Sequence, residues 1–138
     1  MIFPYSKIKT KDKNYPYSIL PLINVKVSLQ SKSAITRALI DSGADINLIN
    51  AQFGKLLGID YKTGPKTSLK GIVNQSIDVY MHNIDLEIPR LTTYKTTMPF
   101  GFIDSSTVGI LLGQQGFFDH FKITFEKFNN SFYIEEKE

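Results

Sequence analysis

The 138-residue chain is 42% hydrophobic and 21% charged, with sixteen Lys and Arg against thirteen Asp and Glu for a formal charge of +3. That describes one domain able to bury about two-thirds of its unfolded surface, and it excludes disordered, collagenous and coiled-coil chains. There is no cysteine, so disulfide frameworks, zinc ribbons, thiol proteases and redox chemistry fall away together, and two histidines are too few for most metal sites.

Residues 1–15 read as a Lys-rich arm. Lys7, Lys9, Lys11 and Lys13 alternate, so an extended chain puts all four on one side, as a solvated arm would. A phosphate-binding arm would want clustered Arg or denser charge. From Tyr17 to Gln30 the pattern is that of a half-buried strand, with Val25, Val27 and Leu29 alternating against Lys26 and Ser28, and Pro16 and Pro21 put its start at a sheet edge. A second strand, Ala34 to Ile40, stops at Asp41-Ser42-Gly43. Asn50 reads as the N-cap of a helix from Ala51 to Leu57, ended by Gly58. Beyond the Gly64-Pro65 turn come strand-like runs at Thr67 to Val73, Ile77 to Ile88 and Met98 to Ile103. Val108 to Leu112 ends at Gly113, a short helix spans Gln114 to Asp119, and strands follow at Phe121 to Phe125 and Phe132 to Glu135. Many short strands and at most two short helices make a mostly β domain, a small barrel or folded sheet. The strand-Gly-helix units at 35–58 and 108–119 look alike in outline. No basic-then-apolar leader is visible and the apolar runs are far too short to span a membrane, so the expected setting is cytoplasmic, without a membrane partner.

The sequence has no His-Glu-x-x-His and no Gly-x-Ser-x-Gly, and Gly113-Gln114-Gln115-Gly116 lacks the Lys and Ser or Thr of a phosphate loop. No metal or other cofactor is expected. What remains is carboxylate chemistry, and its candidate is Asp41 in Ala38-Leu39-Ile40-Asp41-Ser42-Gly43-Ala44-Asp45. An acidic residue directly after an apolar strand, followed by a hydroxyl and a glycine, sits where the backbone turns and donors can converge on the carboxylate. All three residues of Asp41-Ser42-Gly43 also favour plain turns, so the triplet alone has two readings.

Its context resembles the retropepsin-like aspartic proteases, in which an apolar strand leads into Asp-Thr/Ser-Gly-Ala. Three further features stand in the same order: a hairpin region at 69–75, the apolar-apolar-Gly element Ile110-Leu111-Leu112-Gly113, and a closing helix and strand at 116–125 like those of single-domain bacterial members. The resemblance covers about residues 16–135 and implies a small closed or folded β-barrel of the retropepsin (acid protease) type with one or two short helices. Two departures stand out. Gln114 occupies a position where the family often has an Arg that would pair with Asp45, and the presumed flap has one glycine, Gly71.

The resemblance implies an aspartic endopeptidase. Carboxylate hydrolysis of a peptide bond needs two such groups close together, one ionised and one protonated. The chain has one such motif, so a symmetric homodimer with an Asp41 dyad is expected, acting on an extended peptide or protein. In that reading Ser42 bonds across the two-fold axis, Gly43 admits substrate backbone, and Ala44 and Asp45 bind the peptide. Gly71, Ile72, Val73 and Asn74 close over it as a flap, and Ile72, Val73 and Ile110 line pockets. His82 and His120 read as surface or packing residues. The alternatives are a retropepsin-like binding or dimerisation module with weak or no activity, given Gln114 and the altered flap, and a nucleic-acid-binding barrel. The latter rests on the Lys arm with Tyr5, Tyr15 and Tyr17 but lacks a dense basic-aromatic surface, so no nucleic acid is expected.

Overall fold

Alternating burial shows why these segments are strands: Ile23, Val25 and Val27 face inward while Asn24 faces solvent, and Ala38 and Ile40 are buried on either side of Leu39. The computed structural model describes residues 1–70, 76–105 and 107–137. Its strands are β1 (Ile2–Pro4), β2 (Ser6–Lys9), β3 (Tyr17–Leu20), β4 (Leu22–Leu29), β5 (Lys32–Ile40), β6 (Asn47–Asn50), β7 (Lys66–Lys70), β8 (Ser76–Glu87), β9 (Thr96–Ile103), β10 (Ile110–Leu112), β11 (Phe121–Glu126) and β12 (Ser131–Glu136). Two short helices, α1 (Phe53–Leu56) and α2 (Phe117–His120), complete the set with two 3₁₀ turns.

The chain is mostly β, as expected. Strands β4-β5-β10-β6-β9-β8 hydrogen-bond in that order and β8 returns to β4, closing a six-stranded mixed barrel with β7 attached outside β8. A second sheet, β1-β12-β11, packs beside it, and β2 and β3 form a ribbon. Phe100, Phe102, Phe117 and Phe132 are fully buried in one core with Ile49, Ile84, Leu86 and Leu112. Burying each such side chain is worth about 1.5–3 kcal/mol. Among the described residues no helix is long and apolar enough to cross a membrane.

Several sequence expectations are corrected. The N-terminal segment is not a solvated arm: β1 pairs with β12 and β2 pairs with β3. Phe3 stacks on Phe132 with ring centres 5.6 Å apart and Tyr5 meets the same ring edge-on at 5.5 Å. The alternating lysines obscured the apolar residues between them; Lys7 and Lys9 are exposed while Ile8 is half-buried. The strand expected over Tyr17 to Gln30 is cut at Pro21, which has no N–H for the ladder and instead accepts from Ile40 N at 3.1 Å. The first helix is shorter than expected, and Asn50 does not cap it. Asn50 ends β6, where its amide accepts from Gln52 N (2.9 Å) and donates to Val108 O (2.7 Å) and to Ser105 O. Strand β6 itself was not anticipated.

Candidate active site

The buried Ala38 and Ile40 anchor the end of β5, and the chain turns at Asp41 immediately after them. Asp41 N donates to Leu112 O at 2.9 Å, and Ala44 N closes the turn onto Asp41 O at 3.1 Å. The Asp41 carboxylate is half-buried; its Oδ1 accepts from Gly43 N at 3.0 Å. Gly43 suits this arrangement because a Cβ there would press to 3.3 Å from Oδ1.

The segment after β10 fastens the loop. Gln114 N donates to Ala44 O and Gln115 N to Asp45 O, both at 2.9 Å, and the Gln114 side-chain Nε2 donates to Ser42 O at 2.7 Å. Gln114 stands where the family often has an Arg that would pair with Asp45; its side-chain amide bonds to the backbone of the Asp41 loop instead. Gly113 is forced by contact, since a Cβ would lie 2.5 Å from Ile46 O and 2.7 Å from Ala44 O.

Beneath this sits Asn47, fully buried on β6. Its Oδ1 accepts from Gly113 N at 2.8 Å and its Nδ2 donates to Pro99 O at 3.2 Å. Sequence reasoning passed over Asn47. The signal was present as a polar side chain between Ile46 and Leu48-Ile49, in a stretch otherwise apolar. The second helix begins after Gly116, whose φ of +106° and lack of side chain leave room for the Asn47 amide, which a Cβ would meet at 2.6 Å. That helix starts at Phe117, later than expected, with Asp119 Oδ2 accepting from Gly116 N at 3.0 Å.

The expected residues fall into three groups. Asp41, Ser42, Gly43, Ala44 and Asp45 form one loop, with Ser42, Gly43 and Asp45 exposed and Ala44 half-buried. Ile110 lies within the barrel core at 2% exposure, paired with Ile49, rather than on the surface with Asp41. Gly71, Ile72, Val73 and Asn74 lie outside the described residues. The ladder that leads to them is described: Leu69 pairs with Ile77 and Lys70 with Ser76, and Lys66 Nζ lies 3.6 Å from Asp78 Oδ2 across the same two strands. His82 Nε2 donates to Tyr61 O and His120 Nδ1 to Gly116 O, both at 2.7 Å, so each histidine is committed to backbone packing. Neither Asp41 nor Asp45 enters an ion pair among the described residues. Among those residues no group of three or more His, Cys, Asp and Glu could hold a metal ion.

The architecture is therefore a closed six-stranded mixed barrel in which a short strand, β10, lies between β5 and β6 and the segment after it fastens the Asp-Ser-Gly loop. No family model matches the chain, and no curated protein matches it in sequence. Solved structures do match. A retropepsin-like aspartic protease from Rickettsia conorii superposes with a TM-score of 0.65 at 15% identity, covering 97% of this chain and 88% of that one. The EIAV protease complexed with an inhibitor superposes with a TM-score of 0.52 at 15% identity, covering 69% of this chain and 82% of that one. The chain thus has the fold of the retropepsin-like aspartic proteases.

Proposed function

We propose that this protein is an aspartic endopeptidase whose active unit is a symmetric homodimer, with Asp41 from each copy forming the catalytic dyad. The observation that carries the reading is the presentation of Asp41. Its carboxylate stands at the end of a buried strand, with one oxygen held by Gly43 N and the loop fastened by Gln114 and Gln115. Such fastening limits the reorganisation needed to bring two carboxylates together.

Two carboxylates about 3 Å apart cannot both ionise, so the pair shares one proton and titrates as a unit. The ionised member takes a proton from water while the protonated one donates to the scissile carbonyl oxygen; the hydroxide adds to the carbonyl carbon, and proton return to the leaving nitrogen breaks the C–N bond. Ser42 steadies the paired loops across the axis and Gly43 admits the substrate backbone. Ala44 and Asp45 flank an extended peptide, and Gly71 to Asn74 are assigned the role of closing over it. Ile72 and Val73 favour hydrophobic residues at the cut.

The test is cleavage of a peptide library by the full chain from acid to neutral pH, read by mass spectrometry, alongside sedimentation. Asp41→Asn should abolish cleavage and keep the dimer. Cleavage that survives it, or a strict monomer that still cleaves, would overturn the dyad. A wild-type dimer that binds peptides without cutting them would favour the binding-module reading instead.

A further inference from the structure

The chain has only two arginines, Arg37 and Arg90, against fourteen lysines. Both line one cleft of about 530 Å³, to whose lining residues 41–45 do not contribute. Its walls come from β1, Ser6 at the start of β2, the start of β4, Arg37 of β5 and the turn after β8. That volume lies within the range of small-molecule sites. Phe3, Leu22 and Pro89 supply apolar wall, and Asn24, directly across the strand pair from Arg37, adds a polar group. No Asp or Glu lines the cleft. Among the described residues neither arginine forms an ion pair or a side-chain hydrogen bond.

Arg90 is also in an uncommon conformation. Its φ of +74° is left-handed, a region where a residue with a Cβ is strained and glycine is not. The turn around it is closed by Leu91 N and Thr92 N donating to Ile88 O, at 3.1 and 3.0 Å, and by Ile88 N donating to Thr92 Oγ1 at 3.0 Å. A glycine would make this turn without strain. An arginine there adds a second guanidinium to the lining of the cleft that Arg37 also lines; both side chains are exposed, and a bound anion would give each a charge-assisted partner.

We propose that this cleft binds a small organic anion, with Arg37 and Arg90 taking its carboxylate or phosphate and Phe3, Leu22 and Pro89 taking its apolar body. The site is distinct from the proposed dyad and stands or falls independently of it. Fork-shaped guanidinium donors suit planar carboxylate and tetrahedral phosphate alike, whereas lysines would offer only point charges.

The test is a titration of the full chain with phenyl phosphate, phenylacetate and inorganic phosphate, followed by amide chemical shifts and calorimetry. At least one aromatic anion should bind saturably, shifting the amides of Ser6, Asn24 and Arg90, and inorganic phosphate should bind about tenfold or more weakly because it fills no apolar wall. The double variant Arg37→Gln, Arg90→Asn should weaken binding about tenfold or more, with Asn chosen because it tolerates left-handed backbone. Lys55→Gln, Lys62→Gln removes the same net charge elsewhere and should leave affinity unchanged, as should Asp41→Asn. Tighter binding of phenyl phosphate identifies the ligand's anionic group as a phosphate, and tighter binding of phenylacetate identifies it as a carboxylate. Absence of saturation, shifts outside the cleft, or equal weakening by both double variants would overturn the proposal. The shift map on the wild-type chain decides the matter even if the arginine variants fold poorly.

Discussion

Replacing Asn47 with Ala is the sharpest test of how the Asp41 loop is held. The side chain is fully buried and joins three parts of the fold: its own strand β6, Gly113 beyond β10, and Pro99 in β9. Truncation leaves the buried Gly113 N and the part-buried Pro99 O without this partner. An orphaned buried donor or acceptor costs about 1–3 kcal/mol, so the buried Gly113 N together with the part-buried Pro99 O costs on the order of 3 kcal/mol. At roughly 2.1 cal/mol/K per residue, unfolding 138 residues has an entropy of about 0.3 kcal/mol/K, and 3 kcal/mol becomes a fall in Tm of about 10 °C. The assay is thermal unfolding followed by circular dichroism at fixed protein concentration. Asn47→Asp adds a second check: a neutral Asp can still accept from Gly113 N and donate to Pro99 O, whereas its ionised form cannot donate. Burial against Pro99 O raises its folded pKa above the unfolded value of about 3.9, so its contribution is present below that pH and is lost as pH rises through the folded value. A Tm for Asn47→Ala within about 2 °C of wild type, or an Asn47→Asp variant whose deficit shrinks as pH rises, would refute the assignment of Asn47 as the brace.

Gly113→Ala should lower stability by about 1–3 kcal/mol through overpacking against Ile46 O and Ala44 O, and should combine less than additively with Asn47→Ala because both loosen the same strand end; a double-mutant cycle in urea measures this. Gln114→Ala removes one exposed hydrogen bond to Ser42 O, so Tm should fall by less than about 5 °C while amide exchange in the 42–45 loop accelerates; unchanged exchange would show that the side chain does not hold the loop. Burial raises the Tyr5 phenol above its ordinary 10.0, so its contribution is complete below about pH 10 and lost as pH climbs through the folded value. Tyr5→Phe should therefore flatten the alkaline fall in urea stability, and a slope identical to wild type would contradict it.

Strand identity was largely legible because period-two alternation reports burial directly, as in Val25 and Val27 or Ile84 and Leu86. Asp41 was legible too, since the turn follows an apolar strand. What could not be read locally depends on partners distant in sequence. Strand β6 spans only Asn47–Asn50 and draws its ladder from β9 on one side and β10 on the other, so four residues carried too little pattern to announce it. Asn50 matched an N-cap because its amide does bind a local N–H, that of Gln52; its bonds to residues 105 and 108 come from a loop more than fifty positions away. The N-terminal strands failed for the opposite reason, because Lys7 and Lys9 are conspicuous and the buried partner of Phe3, Phe132, lies near the other end of the chain.

The register of β10 bears on why one chain would supply only half of a carboxylate pair. Leu111 and Leu112 pair in parallel with Leu39 and Ile40, so the next position, Gly113, comes level with Asp41. A second acidic residue at this point would complete a pair within the monomer, but any side chain there would drive into Ile46 O and Ala44 O. The same glycine that lets the two strand ends close together therefore excludes a carboxylate beside Asp41 on the neighbouring strand. Relieving that clash would mean opening the Gln114–Ala44 and Gln115–Asp45 hydrogen bonds, which hold the Asp41 loop in place. The position is thus either occupied by glycine with the loop fastened, or open to a side chain with the loop released. On the proposed mechanism, which needs a fastened Asp41 and a second carboxylate about 3 Å away, this geometry directs the second group to come from another copy of the chain.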